Sequence, residues 1–306
     1  MIQKITTNNH EEWLELRSRY IGGSDAATIV GLNPYSSPYS LWAEKTKRLP
    51  SFEGNLATEV GSFLEDFIAK KWEQETGKKV RRVNQSLIND KYPFAIANID
   101  RDVIGEDEGL ECKSTSALNL SKFKNGEYPA NYYVQCVHYL AVTGKKRWNL
   151  AVLIGNNEFK TFVIERDEEE IEALMREEEE FFHYINTDTP PVIDGTESTT
   201  KSLSKVYPNS NETNVDLFPF THQIQQIIAL SEQIKNLETE KEKLSNEIKL
   251  FLKDAECGET KTHKVSWKSA SRSAFDSKAF AKDNPDLDLS GYYKTSKYRT
   301  FKILEK

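Results

Sequence analysis

The chain has 306 residues, of which 38% are hydrophobic and 11% aromatic, enough to bury a core, so wholesale disorder is excluded. A formal net charge of −7 argues against a protein that coats polyanions indiscriminately. Three scattered cysteines, Cys112, Cys136 and Cys257, form no C-x-x-C pair, which argues against a zinc ribbon, an iron–sulfur cluster or a disulfide framework and fits a reducing compartment.

The charge is unevenly spread. Ten Asp/Glu face two Arg between Glu165 and Glu180, whereas Lys261–Lys306 holds eleven Lys/Arg against five Asp/Glu. The N-terminus has no signal-peptide pattern and no window approaches about 18 apolar residues, so the expected location is the cytoplasm, with no membrane contact.

In chain order, His10–Arg19 reads as a helix capped by Asn8 or Asn9, with Trp13, Leu14 and Leu16 inward. Tyr20–Asp25 is a glycine-hinged turn opening a helix over Asp25–Val30, and Ser40–Thr46 is a third helix. A long helix over Leu56–Thr76 carries an apolar stripe of Val60, Phe63, Leu64, Phe67, Ile68 and Trp72, and Gly77 ends it. Strands follow at Val80–Arg82, Ser86–Ile88, Phe94–Val103 and Gly109–Ser114. Next come a helix over Asn131–Thr143, a hairpin of Arg147–Ile154 and Phe159–Ile164, and a glutamate-rich helix over Asp167–Asn186. Residues 196–222 read as a linker or wrapping segment with a short helix at Ser198–Val206. Within 223–306, Ile227, Leu230, Ile234, Leu237, Lys241, Leu244, Ile248, Phe251 and Ala255 follow a heptad seam. A basic, aromatic piece with Lys264, Lys268, Arg272, Lys294, Lys297 and Arg299 closes the chain, between strand-like segments HKVSW and YRTFKIL.

The chemistry concentrates in NIDRDVIGEDEGLECKS. On a strand, Glu111 and Lys113 share a face while Cys112 points the other way. An antiparallel return from the preceding strand brings Asp100 beside them. Two carboxylates and the Cys112 backbone carbonyl suit Mg²⁺, which prefers oxygen ligands and retains waters. Lys113 is placed to orient or deprotonate an attacking water and to counter phosphate charge, the parts that phosphodiester hydrolysis needs. Asp102 is a rival ligand, and Glu106, Asp107 and Glu108 read as a solvated turn. Singly, D-x₁₀-E-x-K is a weak pattern that a solvated surface also produces. Glu65 on the long helix, Gln135 and Tyr139 four apart on another, and Arg17 and Ser24 around the glycine turn add to it. The five histidines, His10, His138, His183, His222 and His263, lack metal-ligand spacing, and Glu177–Glu180 reads as a solvated face.

In this order, Arg17 with Ile21-Gly-Gly-Ser-Asp25, Gly61-x-x-x-Glu65, Ala97-Asn-Ile-Asp100, Glu111-x-Lys113 and Gln135-x-x-x-Tyr139 resemble the lambda-exonuclease/YqaJ viral-recombinase family of PD-(D/E)XK nucleases, over roughly residues 10–195. The resemblance implies an α/β restriction-endonuclease-like core, a central mixed sheet flanked by helices, in a nuclease domain over 1–195. The long helix and a small β extension of 223–306 are appended to it. It implies Mg²⁺, with Mn²⁺ as substitute, held by Asp100 and Glu111, and Lys113 as catalytic lysine. Glu65 becomes the assisting acid and a further candidate ligand, Gln135 and Tyr139 the supporting motif, and Arg17 and Ser24 the 5′-phosphate site. The proline usual before the motif aspartate is Ile99 here.

The activity so implied is a 5′→3′ exonuclease on double-stranded DNA ends that leaves 3′ single strands for phage or prophage recombination in a bacterial host. The implied partners are a RecT/Beta-like annealing protein and further copies of the chain in a ring trimer. An endonuclease using the same site is the enzymatic alternative. A non-catalytic DNA-binding or assembly protein is the alternative of another class.

Overall fold

The structure is a computed structural model that describes all residues except Phe52, Glu53, Asp286, Lys297, Glu305 and Lys306. Lys297 of the basic C-terminal piece therefore lies outside the described residues. The chain forms two compact units, Met1–Tyr207 and Pro208–Lys306.

The first unit opens with β1 (Ile2–Ile5), α1 (His10–Arg19), β2 (Ile21–Gly22), α2 (Gly23–Ile29), α3 (Pro38–Lys45) and α4 (Leu56–Thr76). Strands β3 (Val80–Arg82), β4 (Ser86–Asn89), β5 (Tyr92–Ala97), β6 (Arg101–Val103) and β7 (Glu108–Thr115) follow. A 3₁₀ stretch, Ala117–Phe123, leads into α5 (Ala130–Thr143), the hairpin β8 (Arg147–Ile154) and β9 (Glu158–Glu165), α6 (Glu168–Asn186) and α7 (Glu197–Val206). Several helices start where a side chain satisfies free backbone N–H groups. Asn9 accepts from Glu12, Asn55 from Thr58, and Asp167 from Glu169 and Glu170. Gly77 ends α4 at φ 72°, a left-handed conformation that glycine adopts without steric cost.

Two sheets carry the unit. One has four strands in the order β1-β4-β5-β2, the other five in the order β3-β6-β7-β8-β9. β7 pairs antiparallel with β6 and parallel with β8, and the parallel step requires a crossover, which α5 supplies. Apolar faces of β4, β5, α5, β8, β9 and α6 meet in the main core, around the fully buried Leu140, Trp148 and Ile171. This mixed α/β arrangement is the one expected from the sequence.

Several expectations change, and Leu14 on α1, expected inward, is 40% exposed. Phe94–Val103 is not one strand: it breaks between Ala97 and Arg101, and its halves belong to different sheets. The α4 stripe splits, because Leu64, Ile68 and Trp72 pack inward while Val60, Phe63 and Phe67 face outward, Phe63 with 83% of its surface exposed. The first unit extends past residue 195 to Tyr207. Thr199 on α7 donates to Ser37 Oγ at the start of α3, and Leu203 and Val206 join the core around Trp42. Glu178, read as solvated, is fully buried against His138.

The second unit contains α8 (Thr221–Leu252), a hairpin of β10 (Cys257–Glu259) and β11 (Lys264–Ser266), and α9 (Ser277–Asp283). The heptad seam runs along α8 and stops before Ala255. The segment YRTFKIL forms no strand among its described residues.

Candidate active site

The break between β5 and β6 builds the site. Asn98 at the break accepts from Ser86 Oγ at 2.6 Å and from the Trp13 indole N–H at 3.3 Å, which anchors the turn. Arg101↔Leu110 is the last β6–β7 pair, so Asp100 leaves the strand opposite Glu111. There Asp100 Oδ2 accepts the Cys112 backbone N–H at 2.8 Å. Cys112 turns its thiol into the core with Ile68 and Trp72, which leaves only its main chain for the cavity side.

Glu111, Lys113, Gln135 and Tyr139 form one connected network. The Lys113 ammonium lies 2.6 Å from Glu111 Oε1 and donates to Gln135 Oε1 at 2.9 Å. Gln135 Nε2 donates to Glu111 Oε1 at 2.9 Å and to the Tyr139 hydroxyl at 2.8 Å. Helical spacing puts Gln135 and Tyr139 on one face of α5, over the end of β7. Glu65, from α4, lines the same cavity.

Burial raises both carboxyls of the Asp100–Glu111 pair. Burial, then the neighbouring Asp100 charge, pushes Glu111 up to about 8. Burial also raises Asp100, and burial with the Asp100 charge raises Glu65. Burial works against the Lys113 ammonium, but Glu111 and Asp100 outweigh it and raise its pKa, so Lys113 is a cation and a donor.

Glu111 Oε2 is buried and has no hydrogen-bond partner. Such an atom costs free energy unless something occupies it, and a divalent cation between two carboxylates reverses both upward shifts. The residues therefore fit a hard cation. Among the described residues no group of three or more His, Cys, Asp or Glu side chains is arranged around a metal position, so Glu65 does not complete a three-acid cluster. Mg²⁺, which keeps several waters, suits a set of two carboxylates and a main-chain oxygen.

The other wall of the cavity holds Arg17 and Ser24. Arg17 Nη2 donates to Ser24 Oγ at 2.6 Å, and its guanidinium lies 5.4 Å from the Trp13 ring centroid. Arg17, Ser24, Glu65, Asp100, Glu111, Lys113, Gln135 and Tyr139 thus line a single cavity of about 220 Å³. Gly23 links the two walls. A Cβ there would come within 2.6 Å of the Tyr139 ring, so α2 can approach α5 only without a side chain.

Around this one cavity the structure brings together Arg17, Ser24, Glu65, Asp100, Glu111, Cys112, Lys113, Gln135 and Tyr139. Asp102 lies elsewhere, paired with Lys145 at 2.6 Å and Arg81 at 2.5 Å. Glu108, read as part of a solvated turn, is buried and bonded to Lys78 and Asn149. Trp13 and Asn98 also line the cavity and went unassigned. Trp13 stands one helical turn before Arg17 on α1, a spacing visible in the sequence, whereas the place of Asn98 follows only from its contacts with Ser86 and Trp13.

Fold and cavity define a mixed α/β protein whose buried carboxylate pair and lysine share one cavity with an arginine–serine pair. The chain belongs to the YqaJ family. It is 38% identical to the uncharacterized protein YqaJ of Bacillus subtilis (strain 168), over 100% of this chain and 97% of that one. Residues 12–146 match the YqaJ-like viral recombinase domain. The fold is similar to that of an alkaline exonuclease from Laribacter hongkongensis, with TM-score 0.50 and 20% identity over 58% of this chain and 93% of that chain. The same enzyme in complex with dAMP gives TM-score 0.50 and 22% identity, again over 58% and 93%.

Proposed function

We propose that this protein is a Mg²⁺-dependent exonuclease that digests double-stranded DNA from 5′-phosphorylated ends and leaves 3′ single strands. The observation that carries the reading is the single cavity joining the Asp100–Glu111–Lys113 group to the Arg17–Ser24 pair. A cation and a hydroxyl lining the same cavity as a hydrolytic centre suit a terminal phosphate, whereas an internal stretch of chain offers none.

Asp100, Glu111 and the Cys112 main chain would hold the ion, which when bound activates water and polarises a phosphoryl oxygen. Gln135 keeps Glu111 and Lys113 in register by bonding both, and Tyr139 holds the second proton of the Gln135 amide acceptor-bound. Lys113, as an ammonium, donates toward the incoming oxygen and counters charge gathering on the phosphate. Arg17 and Ser24 hold the 5′-phosphate and so set which bond meets Lys113. Glu65 adds negative charge beside the carboxylate pair and supports cation binding.

The chemistry of the product extends the proposal. A 3′ single strand is the substrate of a RecT/Beta-like annealing protein, and viral recombination in the bacterial cytoplasm is the setting. Among the described residues no helix is long and apolar enough to cross a membrane.

The deciding comparison is between linear duplexes with 5′-phosphate and 5′-hydroxyl ends, in Mg²⁺. The reading expects the phosphate to speed digestion at least about tenfold, the size of a charge-assisted contact. Equal rates on both ends would remove the assignment of Arg17 and Ser24.

A further inference from the structure

Arg17 has a rival partner close at hand. Asp25 is buried beneath it, with Oδ1 4.0 Å from Arg17 Nη2. At ordinary contact distance that carboxylate would neutralise the guanidinium and draw it off the cavity. It does not, because a second cation occupies it. Lys45, from α3, is itself buried, and its ammonium lies 2.7 Å from Asp25 Oδ2. Its remaining donors reach the backbone carbonyls of Arg17 at 2.9 Å and Tyr20 at 2.7 Å. The same Asp25 oxygen accepts the Gly22 N–H at 3.0 Å. Every acceptor of Lys45 therefore belongs to Arg17–Asp25, the segment that carries both proposed phosphate-binding side chains.

The charges sum to two cations and one carboxylate. Lys45 is used up inside the protein, so the surplus positive charge sits on Arg17, the partly exposed member, which lines the cavity. Buried charges are costly unless paired, and removing one partner forces its counterpart to find another.

We propose that Lys45 is a positioning residue that keeps Asp25 from capturing Arg17 and so leaves the guanidinium for a terminal phosphate of DNA. Lys45 touches no substrate and acts only through Asp25 and the backbone of the Arg17–Asp25 segment. The inference rests on the reading of Arg17 given under Proposed function. It goes further by naming what holds that residue ready.

The test uses the full chain and reads the ratio of digestion rates on 5′-phosphate and 5′-hydroxyl duplex ends in Mg²⁺, with melting temperature measured in parallel. In Lys45→Met, Asp25 pairs with Arg17, and the ratio falls about tenfold, the size of one charge-assisted hydrogen bond. In Asp25→Asn with Lys45→Met, no buried acid competes, and the ratio returns to within about threefold of wild type, the usual context scatter of such contributions. A purely structural role for Lys45 predicts the opposite, a ratio in the double variant as low as in Lys45→Met. That outcome, or an unchanged ratio in Lys45→Met, overturns the inference while leaving the role of Arg17 standing. A wild-type ratio near one overturns both. Should Lys45→Met fail to fold, the double variant, which keeps neither buried charge, decides by its own ratio.

Discussion

Replacing Gly23 by alanine tests whether the two walls of the cavity act as a unit. The added Cβ would sit 2.6 Å from Tyr139 Cε1 and 2.9 Å from Cζ. Carbon atoms rest at about 3.5–4.0 Å, so the ring must retreat by about 1 Å. It has little room, since its centroid lies 5.1 Å from that of Trp148 and 5.9 Å from that of His138. Overpacking of this kind costs about 1–3 kcal/mol, or about 2–10 °C in melting temperature for a unit of this size. A retreat of that size also stretches the 2.8 Å bond from Gln135 to the Tyr139 hydroxyl and loosens the amide that holds Glu111 and Lys113. Misplacement by about 1 Å at a reacting centre lowers turnover about 100-fold. The assay pairs thermal unfolding with turnover on a linear 5′-phosphate duplex. A lowered melting temperature with wild-type turnover would refute the link between Gly23, Tyr139 and the catalytic group, and would reduce Tyr139 to core packing.

Further outcomes follow from the same contacts. Mg²⁺ is expected to raise the melting temperature of the wild type and not of Glu111→Gln, which loses cleavage but keeps its fold, as calorimetry will show. Lys113→Ala is expected to lose cleavage by about 100-fold or more and to retain the Mg²⁺-dependent rise, which separates water activation from metal holding. Glu178→Gln is expected to destabilise the protein by about 3–5 kcal/mol below neutral pH, because it strands a buried imidazolium, and chemical denaturation measures this. Burial works against the His138 cation and Glu178 outweighs it, raising the His138 pKa, while burial raises Glu178. Both upward shifts have the same sign. The stabilisation from His138 is complete below its ordinary value of 6.5 and is lost as pH rises through its raised folded value, and the cost of ionising Glu178 grows above its ordinary 4.5. Wild-type stability should therefore decline on the alkaline side, with a flatter profile in Glu178→Gln.

Much of this was legible in the sequence, and what was not has physical causes. The helices announce themselves through caps and terminators: Asn9, Asn55, Asp167 and Gly77 act locally, within one turn of the residues they cap. The D-x₁₀-E-x-K spacing was readable because antiparallel pairing of β6 with β7 is a local event across a short turn. The break at Asn98 was not, because the apolar alternation of Phe94–Val103 continues through it. Past the end of β5, Asn98 is held by side-chain bonds from Ser86 and from Trp13, 85 residues away. The outward half of the α4 stripe carries the same residue types as the inward half, and only the packing partners separate Phe63 from Ile68. Glu178 stands among solvated glutamates and is distinguished only by His138, 40 positions earlier. Lys45 and Asp25 look like ordinary helix-end charges until α3 folds back on the glycine turn and brings the ammonium onto three acceptors at once.

The central claim is end-dependent hydrolysis at the Asp100–Glu111–Lys113 group. A time course with Mg²⁺ on a linear duplex carrying 5′-phosphates, beside a covalently closed circle of the same sequence, tests it most directly. The account predicts loss of nucleotides from the 5′ ends, accumulation of 3′ single strands, an intact circle, and no digestion once EDTA is added. Cutting of the closed circle at a comparable rate, or release of nucleotides from the 3′ ends, would contradict it.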